Sequence, residues 1–521
     1  MAACTSGLSR RGVLAGAAIA SSGLAAPAAA QSKSRTLRYR ATLDLVTIDP
    51  VATISTPANE AAFMIYDHLF GLDAALMAQP QMVERYERSD DGLVWRFSLR
   101  DGLFFHDGEK VLARDAVASI ARWAQRDRIG AVLKQRLDEM RAVDDRQFEL
   151  RLRLSFPRML FCLAQSSLVV MQERVAARTD AAVPVREHTG SGPFIFLADE
   201  WISGARAAFR RNEHYQPRQE APSLLAGGKV VHVDRVEWST IPDNSTAIAA
   251  LRNDEIDWMY RVDPDLLPLL SRDRGVVVEQ IDKLGATGVL VFNTLIPPLD
   301  NPALRRALMF AVNQDDCMRA VVGDHPELMR TGVGVFAPGT PLATDVGLEA
   351  LTAPRDHERT QKLVRESGYH GERIAVMVPT DLPSMVGFGN VIVQAMKDAG
   401  LNIDYQAMDW GTLVSRRNQV KTGGWHCHTS LNPGWNSPPA THYFLTSPYY
   451  RDAMMLELRD AWIDAPDLAA EKHVAEQMQR RFFENPPILP LGQYYLPSAF
   501  RVGVTDIVRA PWALFWGLRK A

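Results

Sequence analysis

The sequence predicts an α/β protein of more than one domain. Three observations carry that expectation. Segments of helical and strand period alternate through residues 354–425. The chain of 521 residues is too long for a single hydrophobic core. Its composition, 47% hydrophobic and 23% charged with a formal net charge of −3, is that of an ordinary globular chain. That charge makes no electrostatic case for nucleic acid or an anionic membrane.

The alternation runs as follows. "DHERTQKLVRESGY" reads as a helix stopped by Gly368. "RIAVMVP" reads as a strand, Ser384 to Ala399 as a helix stopped by Gly400, and "LNIDYQAMD" as a strand. "WGTLVSRRNQV" is a helix that ends near Gly423-Gly424. Such order argues for a layered lobe with a largely parallel sheet. Ahead of it, "DNPALRRALMFAVNQDDCMRAVV" has Asp300 or Asn301 as cap and Pro302 in the first turn. Leu304, Ala307, Leu308, Ala311 and Val312 keep the spacing of a core-facing helix. "GVGVFAPGTPL" (332–342) reads as a loop.

In the N-terminal half, 37–49 reads as a strand ending at Pro50 and Asn59 to Leu69 as a helix. Leu93 to Arg100 and Arg146 to Leu154 alternate as half-buried strands. Between them lies "LRDGLFFHDGEKVLARDAV". Asp101-Gly102 and Asp107-Gly108 are turn pairs, "LFFH" is a short returning strand, and Arg114 to Gln125 is a helix. His106 and Asp107 would face opposite sides of an extended segment, so a scaffold role is expected for His106 rather than a metal or catalytic one.

Residues 1–30 carry the pattern of a twin-arginine export signal. "SRRGVLA" precedes an uncharged, Ala-rich run of about 15 residues, short of the roughly 20 a membrane span needs. Ala28 and Ala30 supply a cleavage site before Gln31. The mature chain is therefore expected to be soluble in the periplasm. Cys162, Cys317 and Cys427 are odd in number and far apart, so no disulfide framework is implied, and there is no C-x-x-C.

Several motifs occur in a fixed order. They are "DGLVWRFSLRDGLFFHDGEKVLARDAVASIARW", "GSGPFIF" (190–196), "IPDNSTAIAALRNDEIDWM" (241–259), "FNTLIPPLDNPALRRALMFAVN" (292–313) and "APGTP" (337–341). In this order they resemble the family 5 extracellular solute-binding proteins of ABC importers, the peptide/nickel-binding type. The resemblance covers essentially the whole mature chain. It implies a two-lobed periplasmic-binding-protein clamshell with an additional small α+β domain. Lobe I would be 35–80, 189–290 and 489–521; the extra domain 81–188; lobe II 291–488. The lobe crossings would fall near Val289 to Asn293 and Pro486 to Gly492. The family's mechanism follows: a solute bound between the lobes shifts an open–closed equilibrium, and the closed form meets an inner-membrane permease. No catalytic residue, cofactor or resident metal is implied, and a monomer is expected.

The ligand residues are sought first in 409–444, where the family places contacts and where Trp410, Trp425 and Trp435 cluster. Flat aromatic walls with a few polar anchors suit varied organic ligands. Peptide-binding members carry an acidic residue here for the ligand's amino group, but 429–444 holds no Asp or Glu. Asn436 can accept a hydrogen bond without charge, and Asp409 is the nearest acid that could serve instead. His426 and His428 would share one face of a strand, with Cys427 opposite. With His442 they could bind a metal chelate, or they are packing residues. Ser55 and Thr56 are candidates on the opposite wall by family position, or else caps of the next helix; Asn293 is a candidate at a crossing strand. The expected ligand is a peptide or amino-acid-like compound, then another small organic solute, then a metal chelate. Ligand sensing or a chaperone role on the same scaffold stays open. An exported hydrolase is disfavoured, because neither G-x-S-x-G nor H-E-x-x-H occurs.

Overall fold

The computed structural model describes residues 35–521 except Ile54, Phe444 and Thr446; the export-signal segment lies outside the described residues. Three sheets organise the chain. The first has seven strands in the spatial order 276–279, 498–501, 258–259, 36–41, 235–240, 206–211 and 194–196. Thr36–Ala41 lies at its centre, parallel to both neighbours. Its Tyr39 ring meets Trp238, Trp258 and Phe515 at centroid distances of 5.1–5.4 Å, which gathers that lobe's core around one strand.

The second sheet has six strands in the order 329–330, 488–494, 286–292, 427–433, 374–379 and 403–408. Only part of it is parallel. Ile374–Pro379 runs parallel to 403–408 and to 427–433, where strand and helix alternate along the sequence. Ala286–Phe292 is antiparallel to both its neighbours, so the sheet is mixed. The chain leaves the first sheet after Glu279 and enters the second at Ala286. It leaves the second at Tyr494 and rejoins the first at Ser498. The expected crossings at 289–293 and 486–492 therefore overlap strands Ala286–Phe292 and Ile488–Tyr494, which pair with each other within the second sheet.

A four-stranded antiparallel sheet (83–88, 94–99, 147–152, 137–142) packs with helices Ala113–Trp123 and Arg128–Arg136. Here both Asp-Gly turns put glycine in the left-handed region, with φ +75° at Gly102 and +88° at Gly108. "LFFH" makes only one bridge, Phe104 to Lys110, and not a strand. His106 ties this domain to the "GSGPF" motif. Its Nε2 donates to the Gly192 carbonyl (3.1 Å) and its Nδ1 accepts from the Gly190 N–H (3.3 Å). Burial pushes its pKa down to about 4, so the ring is neutral and structural. Gly190 is required there, since a Cβ would lie 1.7 Å from the Ile65 carbonyl oxygen. The run from Asp300 to Val322 is two helices, Pro302–Met309 and Gln314–Val322; Asn313 breaks it by capping the second.

Candidate ligand-binding site

One strand of the second sheet, Cys427–Pro433, separates the candidate residues into two groups. Its first residue pairs with Phe292 and its last with Ala286, which in turn faces Tyr494. The end at Pro433 therefore lies where the chain crosses between sheets.

The Cys427 end is core. Trp425 is fully buried, edge-on to His428 (5.4 Å) and Tyr449 (5.3 Å). Asn293 is equally buried, and its amide is consumed by backbone: it donates to the carbonyls of Val420 (2.7 Å) and Trp425 (3.3 Å) and accepts from Leu295 N–H (3.3 Å). His428 is buried, with Nδ1 3.1 Å from the Thr429 carbonyl. Burial and the nearby Arg417 push its pKa down to about 3, so it stays neutral. His426 precedes the strand and accepts from Ala375 N–H through Nδ1 (3.0 Å). His442 turns its Nε2 to the Val335 carbonyl (3.2 Å) and the Asn432 amide (3.2 Å). These histidines serve separate backbone partners. Among the described residues no group of three His, Cys, Asp or Glu could hold a metal ion. The three described cysteines are free and buried.

The Pro433 end is different. Half-buried Trp435 lies against Trp512, 5.0 Å between centroids, and Trp512 packs edge-on to Phe63 of helix Thr56–Ile65. Trp435 thus reaches from the second lobe to the first. Asn436 beside it is half-buried and makes no hydrogen bond with a described residue. Ser55 occupies the cap position of helix Thr56–Ile65, yet its side chain makes no cap bond; Ser55 and Thr56 are both half-buried. Two other candidates have structural work instead. Asp409 caps helix Trp410–Arg417 through Thr412 N–H (2.9 Å) and hydroxyl (2.6 Å). Trp410 opens that helix with its backbone N–H on Asp381 (2.9 Å) and its ring under Arg417.

The charges that sequence reasoning missed gather at this same junction. Arg261 follows the first-sheet strand Trp258–Met259. It is exposed and forms no ion pair with a described residue, yet burial acts on it more strongly than any other influence. Against that burial, Tyr260, Asp282, Glu60 and Tyr494 raise its pKa. Its guanidinium lies 5.4 Å over the Tyr260 ring. Glu60 is buried, accepting from Ala513 N–H (2.9 Å) and the Tyr39 hydroxyl (3.4 Å), and burial pushes its carboxyl up to about 7. Asp282 is also raised by burial, although Leu284 and Gly285 N–H groups hold one of its oxygens. One cation and two reluctant carboxylates at a lobe junction can receive a ligand bearing both signs of charge. No local pattern in "WMYRVD" or "QIDKLG" marks them. Their meeting is a product of the crossing topology.

A second concavity, about 410 Å³, runs between the four-stranded domain and the second lobe and ends on Ser437 and Pro438. Tyr86, Trp95, Phe161 and Trp462 give it apolar walls, and Arg158 and Glu471 on its rim pair with each other.

Two α/β lobes joined by paired crossings, with a charge cluster at the junction, define a two-lobed solute-binding protein. The chain belongs to the bacterial extracellular solute-binding proteins, family 5, whose middle-region model matches residues 78–453. It is 33% identical over 99% of its length, and 99% of the relative's, to the "Probable peptide ABC transporter periplasmic-binding protein" of Sinorhizobium fredii. Its fold matches a dipeptide-binding protein of Pseudoalteromonas in complex with Met-Leu, with a TM-score of 0.78 at 18% identity, covering 94% of this chain and 100% of that one. It also matches a Campylobacter jejuni protein in complex with Ni(L-His), with a TM-score of 0.75 at 16% identity, covering 93% and 99%.

Proposed function

We propose that this chain captures a zwitterionic, peptide-like solute between its lobes in the periplasm and delivers it to the inner-membrane permease of an ABC importer, without chemical change to the solute. The observation that carries this reading is Arg261, an exposed guanidinium without an ion-pair partner among the described residues, whose charge Glu60 and Asp282 favour. Arg261 would take a carboxylate, and the acids an ammonium. The acidic anchor absent from 429–444 is thereby supplied by the first lobe. Trp435, Asn436, Ser55 and Thr56 would line the remaining wall. Lobe II then comprises about 286–494, flanked by lobe I segments, with 81–188 as the extra domain. The similarity to a peptide ABC transporter's binding protein supports the importer role. The chain acts as a monomer.

The test is calorimetric titration of the mature protein with free dipeptides and with their amidated and N-acetylated forms. Free dipeptides bind; blocking either end costs at least tenfold, about 1.4 kcal/mol. In Arg261→Gln the penalty for amidation disappears while that for acetylation remains. Equal affinity for free and amidated forms in the parent protein would sink the reading.

A further inference from the structure

The second sheet has an end that the solute site does not use. Strand Ala286–Phe292 enters from the crossing at Ala286 and finishes at Phe292, whose N–H bonds the Pro487 carbonyl (3.0 Å). Just past Phe292 lies a pocket of about 500 Å³. Four arginines line it against two acids. Arg305 and Arg306 come from helix Pro302–Met309, Arg451 from a loop, and Arg481 from helix Leu468–Glu484; the acids are Asp300 and Glu484.

The negative charge is unevenly shared. Glu484 (3.0 Å) and the buried Asp452 (2.8 Å) both pair with Arg481. Arg305, Arg306 and Arg451 form no ion pair with a described residue. Arg305 is only 2% exposed. Its Nη1 donates to the Pro486 carbonyl (2.5 Å) and its Nη2 to Asn485 Oδ1 (2.6 Å), while its Nε is buried without a partner. Arg306 donates from Nη1 to the Glu484 carbonyl (2.9 Å). These partners are neutral dipoles around the C-terminal end of helix Leu468–Glu484, which hold the two forks in place without neutralising them. Burial pushes the Arg305 pKa down to about 10, even though Tyr450, Asp300 and Asp452 act to raise it. Arg451 is exposed and has no partner among the described residues. A crowded cluster of cations with so few counter-charges is stabilised by an anion. Forks that converge from two helices and a loop suit an anion with oxygens in several directions, and the arginine fork matches phosphate geometry.

We propose that this pocket binds a phosphate-type oxyanion, either free inorganic phosphate or the phosphate of an anionic lipid headgroup. The site is separate from the lobe junction and does not rest on the solute-capture reading.

The experiment compares wild type, the pocket variant Arg306→Gln/Arg451→Gln, and a charge-matched control, Arg206→Gln/Arg210→Gln, on strand Arg206–Arg211 of the first sheet. Each is titrated calorimetrically with inorganic phosphate at constant ionic strength in chloride. Each is also sedimented with vesicles of phosphatidylcholine, with and without phosphatidylglycerol. Phosphate is expected to bind wild type and control alike, and the pocket variant at least tenfold more weakly. If phosphate does not bind, but phosphatidylglycerol vesicles retain wild type and control and release the pocket variant, the oxyanion is that of a headgroup. The inference is overturned if neither probe binds wild type, if binding survives undiminished in the pocket variant, or if the control loses it equally. Should the pocket variant not fold, Arg451→Gln alone, which has no described partner to lose, is judged by the same criteria.

Discussion

The two ends of strand Cys427–Pro433 carry equally suggestive residues and opposite environments. At the first end, Trp425 and His428 are fully enclosed, and Asn293 spends its amide on three backbone groups. At the other, Trp435 and Asn436 remain half-buried where the lobes meet. The difference lies in the sheet. The first end is covered by the segment around Tyr449 and by helix Trp410–Arg417, whereas the second opens where the chain crosses between sheets. Aromatic and histidine density in a sequence reports material for a site. Topology decides which end of the strand is accessible.

The contrast is broken most severely at the enclosed end. Trp425→Ala should cost about 3–5 kcal/mol of stability, the range for a large buried aromatic. Urea unfolding measures it, and ligand affinity of the folded fraction should stay at the parental value. A loss of affinity with stability intact would return Trp425 to the cleft wall.

Acid sharpens the same contrast. His428 titrates at about 3 in the fold and near 6.5 when unfolded. Between those values the unfolded chain binds the extra proton, so stability is complete above about 6.5 and is lost as pH falls. At pH 5 this one group should cost roughly 2 kcal/mol. His442 and His68, each held near 4 by burial, act in the same direction. Unfolding at pH 7 and pH 5 should give a smaller pH-dependent loss in His428→Leu than in the parent. An unchanged slope would mean that His428 is protonated in the fold and reaches solvent.

Much of the fold was legible, and less of the site. The alternating segments from 354 to 425 became strands and helices within a few residues of their expected places, because local periodicity and glycine stops act over short distances. The crossings did not, since pairing of 286–292 with 488–494 joins segments some two hundred residues apart and leaves no local mark. The same holds for Arg261, Glu60 and Asp282. Each is an ordinary residue in its own stretch, and only the return of the chain through both sheets brings them together. Trp435 drew notice because it lies in a region that the family resemblance had singled out, and the structure sets its ring against Trp512. Trp425 stands in that region too, and its spacing could not say which neighbours would cover it.

At the open end, Trp435→Ala should leave the unfolding midpoint nearly unchanged and weaken dipeptide binding about tenfold, the worth of a stacked aromatic contact and the apolar area beneath it. A large stability loss without an affinity loss would make Trp435 a second Trp425.

The smallest effect belongs to Asn436. Its amide has no described partner to lose, so Asn436→Ala should not change stability in the empty protein. Any cost must come from the ligand, and for one neutral hydrogen bond that is about 0.5–1.5 kcal/mol, a factor of roughly two to twelve in Kd. Calorimetry with a free dipeptide and with its N-acetylated form separates two roles. If Asn436 accepts from the ligand's amino group, the substitution weakens only the free form; if it reads the peptide backbone, both forms weaken alike. No effect on either would confine recognition to Trp435 and the charges around Arg261. The polar contribution of the second lobe would then be zero, and that lobe would act through its aromatic surface alone.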